Sequence, residues 1–349
     1  MKPGPSRAAN DAAYARAASS RADTRPVLFV TNHAPPFRVP AFQALHEREN
    51  VVFALIGGHV RHGGGGTRQQ QFPFPAIFPP ERTVARLAAS GRYRAVIAGL
   101  SGKVALPAAY AGARAGKVPF ALWATIWRHP RTPLHAASYL PLRHIYRNAD
   151  AIATYGPHVS AYVRTKHPKG EIFEAPQSVD TAFWTQPGTP ERHSDFQLLF
   201  AGRPVPEKGF DVLQQAADAR DIVVATNRTP TEMRNLYAGS DVVVVPSVPT
   251  RDFLEPWGLV VNEAFHQGTP VIATDAVGAA AGGLVRHERT GLIVPAGDAH
   301  ALRNAIDRLK RDPALRRRLG DAAREAVAAY TPQSWAEGMS QALTKGLLA

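Results

Sequence analysis

The sequence predicts an α/β protein made of two Rossmann-like, doubly wound domains that face each other across a central cleft. Three observations carry that expectation. Short β-branched runs alternate with longer Ala/Leu/Arg segments along most of the chain. The alternation breaks once, over a Pro/Gly/Thr-rich stretch between Pro168 and Asp195, and then restarts. The length of 349 residues matches about two domains of ~150 residues each. Alternation of this kind implies parallel sheets with helices on both faces.

In order along the chain, residues 1–23 are rich in Ala, Arg and Ser and lack an apolar core, which reads as a flexible basic leader rather than a secretory signal. Residues 24–172 form the first domain, with strands over Val27–Asn32, Val51–Ile56, Ala95–Leu100, Pro119–Thr125 and Ala151–Tyr155. Helical patterns fit between them at Val39–Arg48, Thr83–Ser90 and Leu106–Ala115. The segment His62–Gln71 holds four consecutive glycines, Gly63–Gly66, and reads as a connector or lid. Residues 173–195 are the linker. The second domain, 196–332, has strands over Gln197–Gly202, Ile222–Thr226, Val242–Pro246, Pro270–Thr274 and Gly291–Val294. These are continuous apolar runs, as expected of strands covered on both faces. Thr229-Pro230-Thr231-Glu232 is a helix start: a Thr cap, Pro at the first helical position and Glu three residues on. Gly268 is placed to end the helix before Pro270.

Composition excludes several classes of function. There is no cysteine, so disulfide frameworks, zinc fingers, iron–sulfur clusters and thiol nucleophiles are out. An apolar fraction of 45% against 20% charged residues argues against a disordered chain. No apolar run approaches the ~18 residues that would span a membrane. Charge is distributed unevenly: residues 1–170 carry 23 Lys+Arg and 6 Asp+Glu, while residues 171–349 carry 18 and 22. A net +17 in the first half points to an anionic partner such as a lipid surface, a phosphorylated acceptor or nucleic acid.

Three segments of the second half carry the candidate chemistry. In Ala201-Gly202-Arg203-Pro204-Val205-Pro206-Glu207-Lys208-Gly209, two cations stand where a sheet's C-terminal edge meets a helix start. That geometry suits phosphates, although Arg203 and Lys208 also have the option of pairing with surface carboxylates. In Glu255-Pro256-Trp257-Gly258-Leu259-Val260-Val261-Asn262-Glu263 the carboxylates are eight positions apart. On one helix they would stand about 12 Å apart, beyond the ~5–9.5 Å of a hydrolase pair. The better arrangement puts Glu255 in the loop before the helix and Glu263 on its inner turn, each accepting from hydroxyls of one long ligand. Free amides near Gly258 and Leu259 would add anion contacts. The bland alternative is a helix cap and a solvated carboxylate. The third segment, Gly278 to Gly283, is a small-residue loop that lets backbone approach a ligand closely.

Taken together, these segments resemble the retaining glycosyltransferases of family 4 (group 1), which have the GT-B fold. The resemblance runs from about Phe196 to Ala326 and rests on Ala201-Gly202-Arg203 with Glu207-Lys208-Gly209, on Asp241–Ser247, on Glu255 and Glu263, on Gly268–Thr274 and on Thr290–Val294. In the first half it is carried by Ala149–Ala153 and Ser178-Val179-Asp180. It implies that Arg203 and Lys208 hold the donor's diphosphate, that Glu263 binds the ribose hydroxyls and that Glu255 contacts the donor sugar with the Gly258 and Leu259 amides. It implies a nucleoside-diphosphate sugar as co-substrate, a glycan or lipid-linked acceptor on the first domain, and no cofactor. No D-x-D triplet occurs, so no metal is expected; fixed cations stabilise the leaving group instead. A C-terminal helix, 333–349 with Trp335, is expected to return to the first domain.

Three departures stand out. Only Ile222–Thr226 is available as a strand between Gly209 and Leu236, where the family has two, so Asn227 and Arg228 are the candidates to meet the base. Gly283 replaces a common Glu, and His33-Ala34-Pro35-Pro36-Phe37-Arg38 replaces a glycine loop. His129 is the nearest match to a family-like histidine at the anomeric centre, with His135 and His33 behind it. In the first domain Trp123, Trp127, Tyr139, Leu140, Leu142 and Tyr146 interleave with Arg128, Arg131, Arg143 and Arg147. That pattern fits either an anionic membrane surface or a packed core beneath solvated arginines. The expected setting is cytoplasmic, peripheral at the inner membrane face, in cell-surface polysaccharide or lipopolysaccharide synthesis. A sugar-nucleotide epimerase on the same fold is the first rival. A basic nucleic-acid-binding protein is the second, and it leaves the five ordered motifs unexplained, so nucleic acid is not an expected partner.

Overall fold

The computed structural model describes residues 23–57, 71–100, 102 and 104–346. Residues 1–22 of the basic leader and the four-glycine run lie outside them. Seven strands form the first sheet: β1 (Val27–Thr31), β2 (Val51–Leu55), β3 (Ala76–Ile77), β4 (Ala95–Gly99), β5 (Phe120–Ala124), β6 (Ala151–Thr154) and β7 (Glu171–Glu174), in the order β3-β2-β1-β4-β5-β6-β7. Every pairing is parallel. The second sheet holds β8 (Leu198–Ala201), β9 (Ile222–Ala225), β10 (Val242–Val245), β11 (Val271–Thr274) and β12 (Gly291–Val294), in the order β12-β11-β10-β8-β9, again all parallel. Both sheets are doubly wound, and each reverses its strand order once, between β1 and β4 and between β8 and β10. Ligands of open α/β sheets bind at the carboxyl ends of strands flanking such a reversal.

The central strands are apolar because helices cover both of their faces; β1, β4, β5 and β10 are buried at every position. The helices that cover them are α1 (Val39–Glu49), α2 (Val84–Ala88), α3 (Ala105–Ala115), α4 (Pro133–Asn148), α5 (Pro157–Arg164), α6 (Thr181–Trp184), α7 (Phe210–Ala216), α8 (Pro230–Gly239), α9 (Val260–His266), α10 (Gly278–Ala281), α11 (Ala299–Arg311), α12 (Pro313–Val327) and α13 (Pro332–Gly346). Helix α8 begins with a complete capping box between Thr229 and Glu232. Gly268 ends the α9 turn at φ 73°, where a side chain would be strained.

Two strands go beyond the sequence reading. β3 is two residues long, and β7 reads Glu-Ile-Phe-Glu, polar where it faces water. Edge strands lack the continuous apolar signature of buried ones, which is why neither stands out in the sequence. Because β7 pairs with β6, the first sheet runs past residue 172 to Glu174. Helix α13 lies on the first domain, against α1, β6 and β7. Its Trp335 is fully buried among Phe29, Phe42 and Trp123, with ring centroids 5.6–6.4 Å away.

The interleaved aromatics and arginines of the first domain are divided by packing. Trp123 and Tyr146 are core residues, 6% and 2% exposed. Trp127 and Arg128 are committed to the second domain. On the outer face Leu140 remains 70% exposed on α4, with Arg147 exposed and Arg143 partly so.

Candidate functional site

The site grows from the strand reversal between β8 and β10. β8 ends in Gly202, at φ 148° with open space where a side chain would stand, and then Arg203. Arg203 is exposed, and its guanidinium meets no carboxylate among the described residues. A 3-10 turn, Pro206–Lys208, follows and leads into Gly209. A Cβ on Gly209 would lie 1.9 Å from the Pro246 carbonyl oxygen, so the turn closes onto the end of β10 only because the residue is glycine.

That closure brings Lys208 to the loop ahead of α9. Its ammonium donates to the carboxylate of Glu255 and sits 5.3 Å from the Phe253 ring centroid. Ser247, just past β10, donates its hydroxyl to the same Glu255 oxygen at 3.3 Å. Glu255 is 8% exposed, and these two donors supply the hydrogen bonds its buried carboxylate needs. Gly258 turns the chain at φ 91° into α9, and no side chain caps that helix. The Gly258 and Leu259 amides donate to no group among the described residues. The caps seen elsewhere are not repeated here, and Glu255 is occupied with Lys208 instead of capping.

Glu263 lies on the inner turn of α9 and accepts a 2.7 Å hydrogen bond from the Tyr237 hydroxyl. Burial pushes its carboxyl up to about 7, offset in part by that bond. Asn227 follows β9 in a left-handed conformation, φ 54°, and is exposed. Arg228 beside it pairs with Glu232 of its own capping box at 3.6 Å.

The first domain contributes other residues than the sequence suggests. His129 hands its Nε2 proton to the His135 carbonyl at 2.7 Å, with its ring against Tyr139, and His135 is engaged by the Thr132 cap of α4. Both histidines thus serve the start of α4, and among the described residues no hydrogen bond joins His129 to the Glu255 loop. His33 follows the end of β1. The residues that do reach that loop are Trp127, whose indole N–H donates to the Glu255 carbonyl at 3.0 Å, and His158, whose Nε2 meets the Pro256 carbonyl at 3.1 Å. Pro157 at the first position of α5 was the available signal for His158, since it places that side chain at a helix start beyond a strand's carboxyl end. The small residues Gly278 and Gly282 serve packing within the chain: a Cβ on Gly278 would lie 2.0 Å from the Pro256 oxygen, and one on Gly282 would lie 2.7 Å from the Trp257 ring. Gly283, at φ 85°, faces open space. Among the described residues no cluster of three or more His, Asp or Glu is arranged to hold a metal ion.

Two doubly wound, all-parallel domains of this kind define the GT-B architecture. Residues 187–326 match the family described as glycosyl transferases group 1. The chain is 38% identical over 135 residues to a D-inositol 3-phosphate glycosyltransferase of Pseudarthrobacter chlorophenolicus, covering 37% of this chain and 30% of that one. It is 30% identical over 187 residues to a phosphatidyl-myo-inositol mannosyltransferase of Mycobacterium leprae, covering 52% and 47%. It therefore spans less than half the length of these curated relatives. Among solved structures, HepE of Anabaena in complex with UDP-glucose superposes with a TM-score of 0.70 at 15% identity, over 92% of this chain and 99% of that one.

Proposed function

We propose that the protein is a retaining glycosyltransferase of the family 4 type that moves a sugar from a nucleoside-diphosphate sugar to a glycan or lipid-linked acceptor, in cell-surface polysaccharide or lipopolysaccharide synthesis. One observation carries the reading: Lys208, Ser247 and Glu255 meet at the strand reversal of the second sheet, beside the open backbone of Gly202 and the unpaired Arg203. The diphosphate lies against Arg203, Lys208 and the Gly258 and Leu259 amides, which stabilise charge as the leaving group departs. Glu255 accepts from sugar hydroxyls and Glu263 from the ribose. Asn227 is available to the base at the edge of the shortened sheet.

No residue stands as a covalent nucleophile in this mechanism. The acceptor hydroxyl attacks on the face from which the diphosphate leaves, the glycosidic bond forms as the donor bond breaks, and the leaving phosphate takes the acceptor's proton. No metal or cofactor is assigned a part; the two cations take the role of charge stabilisation. The net +17 of residues 1–170 supports an anionic acceptor on the first domain. Leu140 with Arg143 and Arg147 supports a peripheral contact with an anionic membrane on its cytoplasmic face. No helix among the described residues is long and apolar enough to cross a membrane.

A thermal-shift panel with UDP, GDP, ADP, dTDP and CDP, with and without EDTA, tests the donor site. Stabilisation by one diphosphate that EDTA leaves unchanged is the expected result. No shift with any of them overturns the donor site. Release of a new sugar nucleotide without acceptor would favour an epimerase on this fold.

A further inference from the structure

The loop that carries Glu255 is held from the opposite domain. Four donors of the first domain cross to it within a short stretch. The Trp127 indole donates to the Glu255 carbonyl at 3.0 Å, and His158 donates to the Pro256 carbonyl at 3.1 Å. The Arg128 guanidinium donates to the carbonyls of Thr250 and Phe253, the latter at 2.6 Å, and the Arg131 amide donates to the Arg251 carbonyl at 2.6 Å. His158 is 8% exposed and lies between the rings of Trp127 and Trp257, at 5.4 and 5.8 Å. Because its partner is a carbonyl, Nε2 carries the proton and Nδ1 is bare. Nδ1 is buried without a partner, packed where a Cβ on Gly282 would come within 2.9 Å.

From the second domain the same loop is held by two backbone donors, Gly278 to the Glu255 carbonyl at 3.1 Å and Ala279 to the Trp257 carbonyl at 2.7 Å. The Trp257 indole donates to Asn262 at 2.7 Å, and Asn262 donates to the Gln177 carbonyl at 3.1 Å in the segment joining the domains. The Gln177 side chain in turn accepts from the buried Arg38. Consecutive residues 255, 256 and 257 are thus each fixed by a group outside their own loop.

We infer that Trp127 and His158 form an interdomain clasp: they are positioning residues that set the Glu255 loop only when the two domains are in contact, so that closure completes the donor-sugar site. The chemical role rests on the glycosyl-transfer reading above, whereas the clasp itself does not. Neither residue touches the donor in this scheme. Each acts through a backbone carbonyl of the loop: without His158 the Pro256 carbonyl loses its donor, and without Trp127 the Glu255 carbonyl keeps only the Gly278 amide. The arrangement also explains why a bare Nδ1 is tolerated. His158 offers its proton to Pro256, and glycine at 282 leaves the room its ring needs.

Two measurements on Trp127→Phe, His158→Phe and His158→Gln test this. The first is native-state amide exchange without ligand. The Gly278 and Ala279 amides, which donate into the loop, should exchange at least tenfold faster in both Phe variants. Exchange should return toward wild type in His158→Gln, which keeps an N–H at similar reach, and strand β1 and β10 amides should be unaffected. Unchanged exchange at Gly278 and Ala279 overturns the clasp whether or not the chain transfers sugar, and so does faster exchange across the whole second sheet. The second measurement is turnover of UDP-glucose set against binding of UDP. A tenfold or greater fall in kcat with UDP affinity held within twofold, restored by His158→Gln, is the expected split. Equal loss of kcat and UDP binding assigns the residues a general structural role and overturns the positioning one. If the wild type turns over no UDP-glucose and no diphosphate stabilises it, the glycosyl-transfer reading fails, and faster exchange at Gly278 and Ala279 still supports the clasp.

Discussion

Lys208 and Glu255, 47 residues apart in the chain, form an ion pair at the mouth of the second sheet. In the proposed mechanism, the cation that would meet the donor diphosphate is therefore already engaged by the carboxylate that would meet the donor sugar. Each residue holds the other in place until a ligand divides them.

Removing either member should have different consequences. Lys208→Ala leaves a buried carboxylate with only Ser247 for support, so both UDP binding and transfer should fall, transfer by about 100-fold or more given the cost of losing one charge-stabilising donor. Glu255→Gln frees Lys208 for phosphate, so UDP affinity should hold or rise while transfer is lost. Calorimetry with UDP and turnover assays, with folding checked by circular dichroism, read both. Full activity in Lys208→Ala would sink the assignment of that residue.

Glu263 should link nucleotide binding to protons. Its folded carboxyl is pushed up to about 7 from an ordinary 4.5, so the folded chain holds an extra proton between those values. The stability that this protonated form supplies is complete below about 4.5 and is lost as pH rises through 7. Glu263→Gln should thus gain on the wild type in melting temperature between pH 5 and pH 8. If ribose hydroxyls donate to the carboxylate, UDP binding near pH 7 should release a proton. Titrations in buffers of different ionisation enthalpy measure that release directly.

His266, on the same helix, should act with the opposite sign. It is 6% exposed, its Nε2 has no partner, and burial alone pushes it down to about 4. The stability tied to its neutral form is fully present above 6.5 and lost as pH falls through 4, by up to about 3 kcal/mol at 1.36 kcal/mol for each pH unit. Denaturant melts of wild type and His266→Phe at pH 7 and pH 4.5 should show the difference between them widening in acid.

Gly209→Ala should destabilise more than Gly91→Ala. Both glycines have left-handed backbones, at φ 63° and 72°. That conformation costs a side chain about 1–3 kcal/mol. A Cβ at Gly91 meets nothing within 4 Å, whereas one at Gly209 collides with Pro246. The excess loss of melting temperature in Gly209→Ala reads the close approach of the Lys208 turn to β10, and diphosphate binding should weaken with it.

By itself the sequence determined most of the strands and helices, though not the edge strands β3 and β7, and the segments that carry Arg203, Lys208, Glu255 and Glu263. Those features are local: apolar runs, capping residues such as Thr229 and Glu232, and glycines where the backbone turns. Only the tertiary structure decided what these segments meet. The pairs Trp127 with Glu255 and His158 with Pro256 are separated by 128 and 98 residues. Tyr237 reaches Glu263 only because α8 lies beside α9. A periodic pattern states which face of a helix is apolar, but it is silent on which distant carbonyl lies opposite an indole N–H. For the same reason His129, placed by its distance along the chain from a strand, proved to be engaged by its own helix start. Trp123 and Tyr146 likewise turned inward, and Trp127 and Arg128 reach carbonyls of the second domain, partners that spacing alone does not reveal.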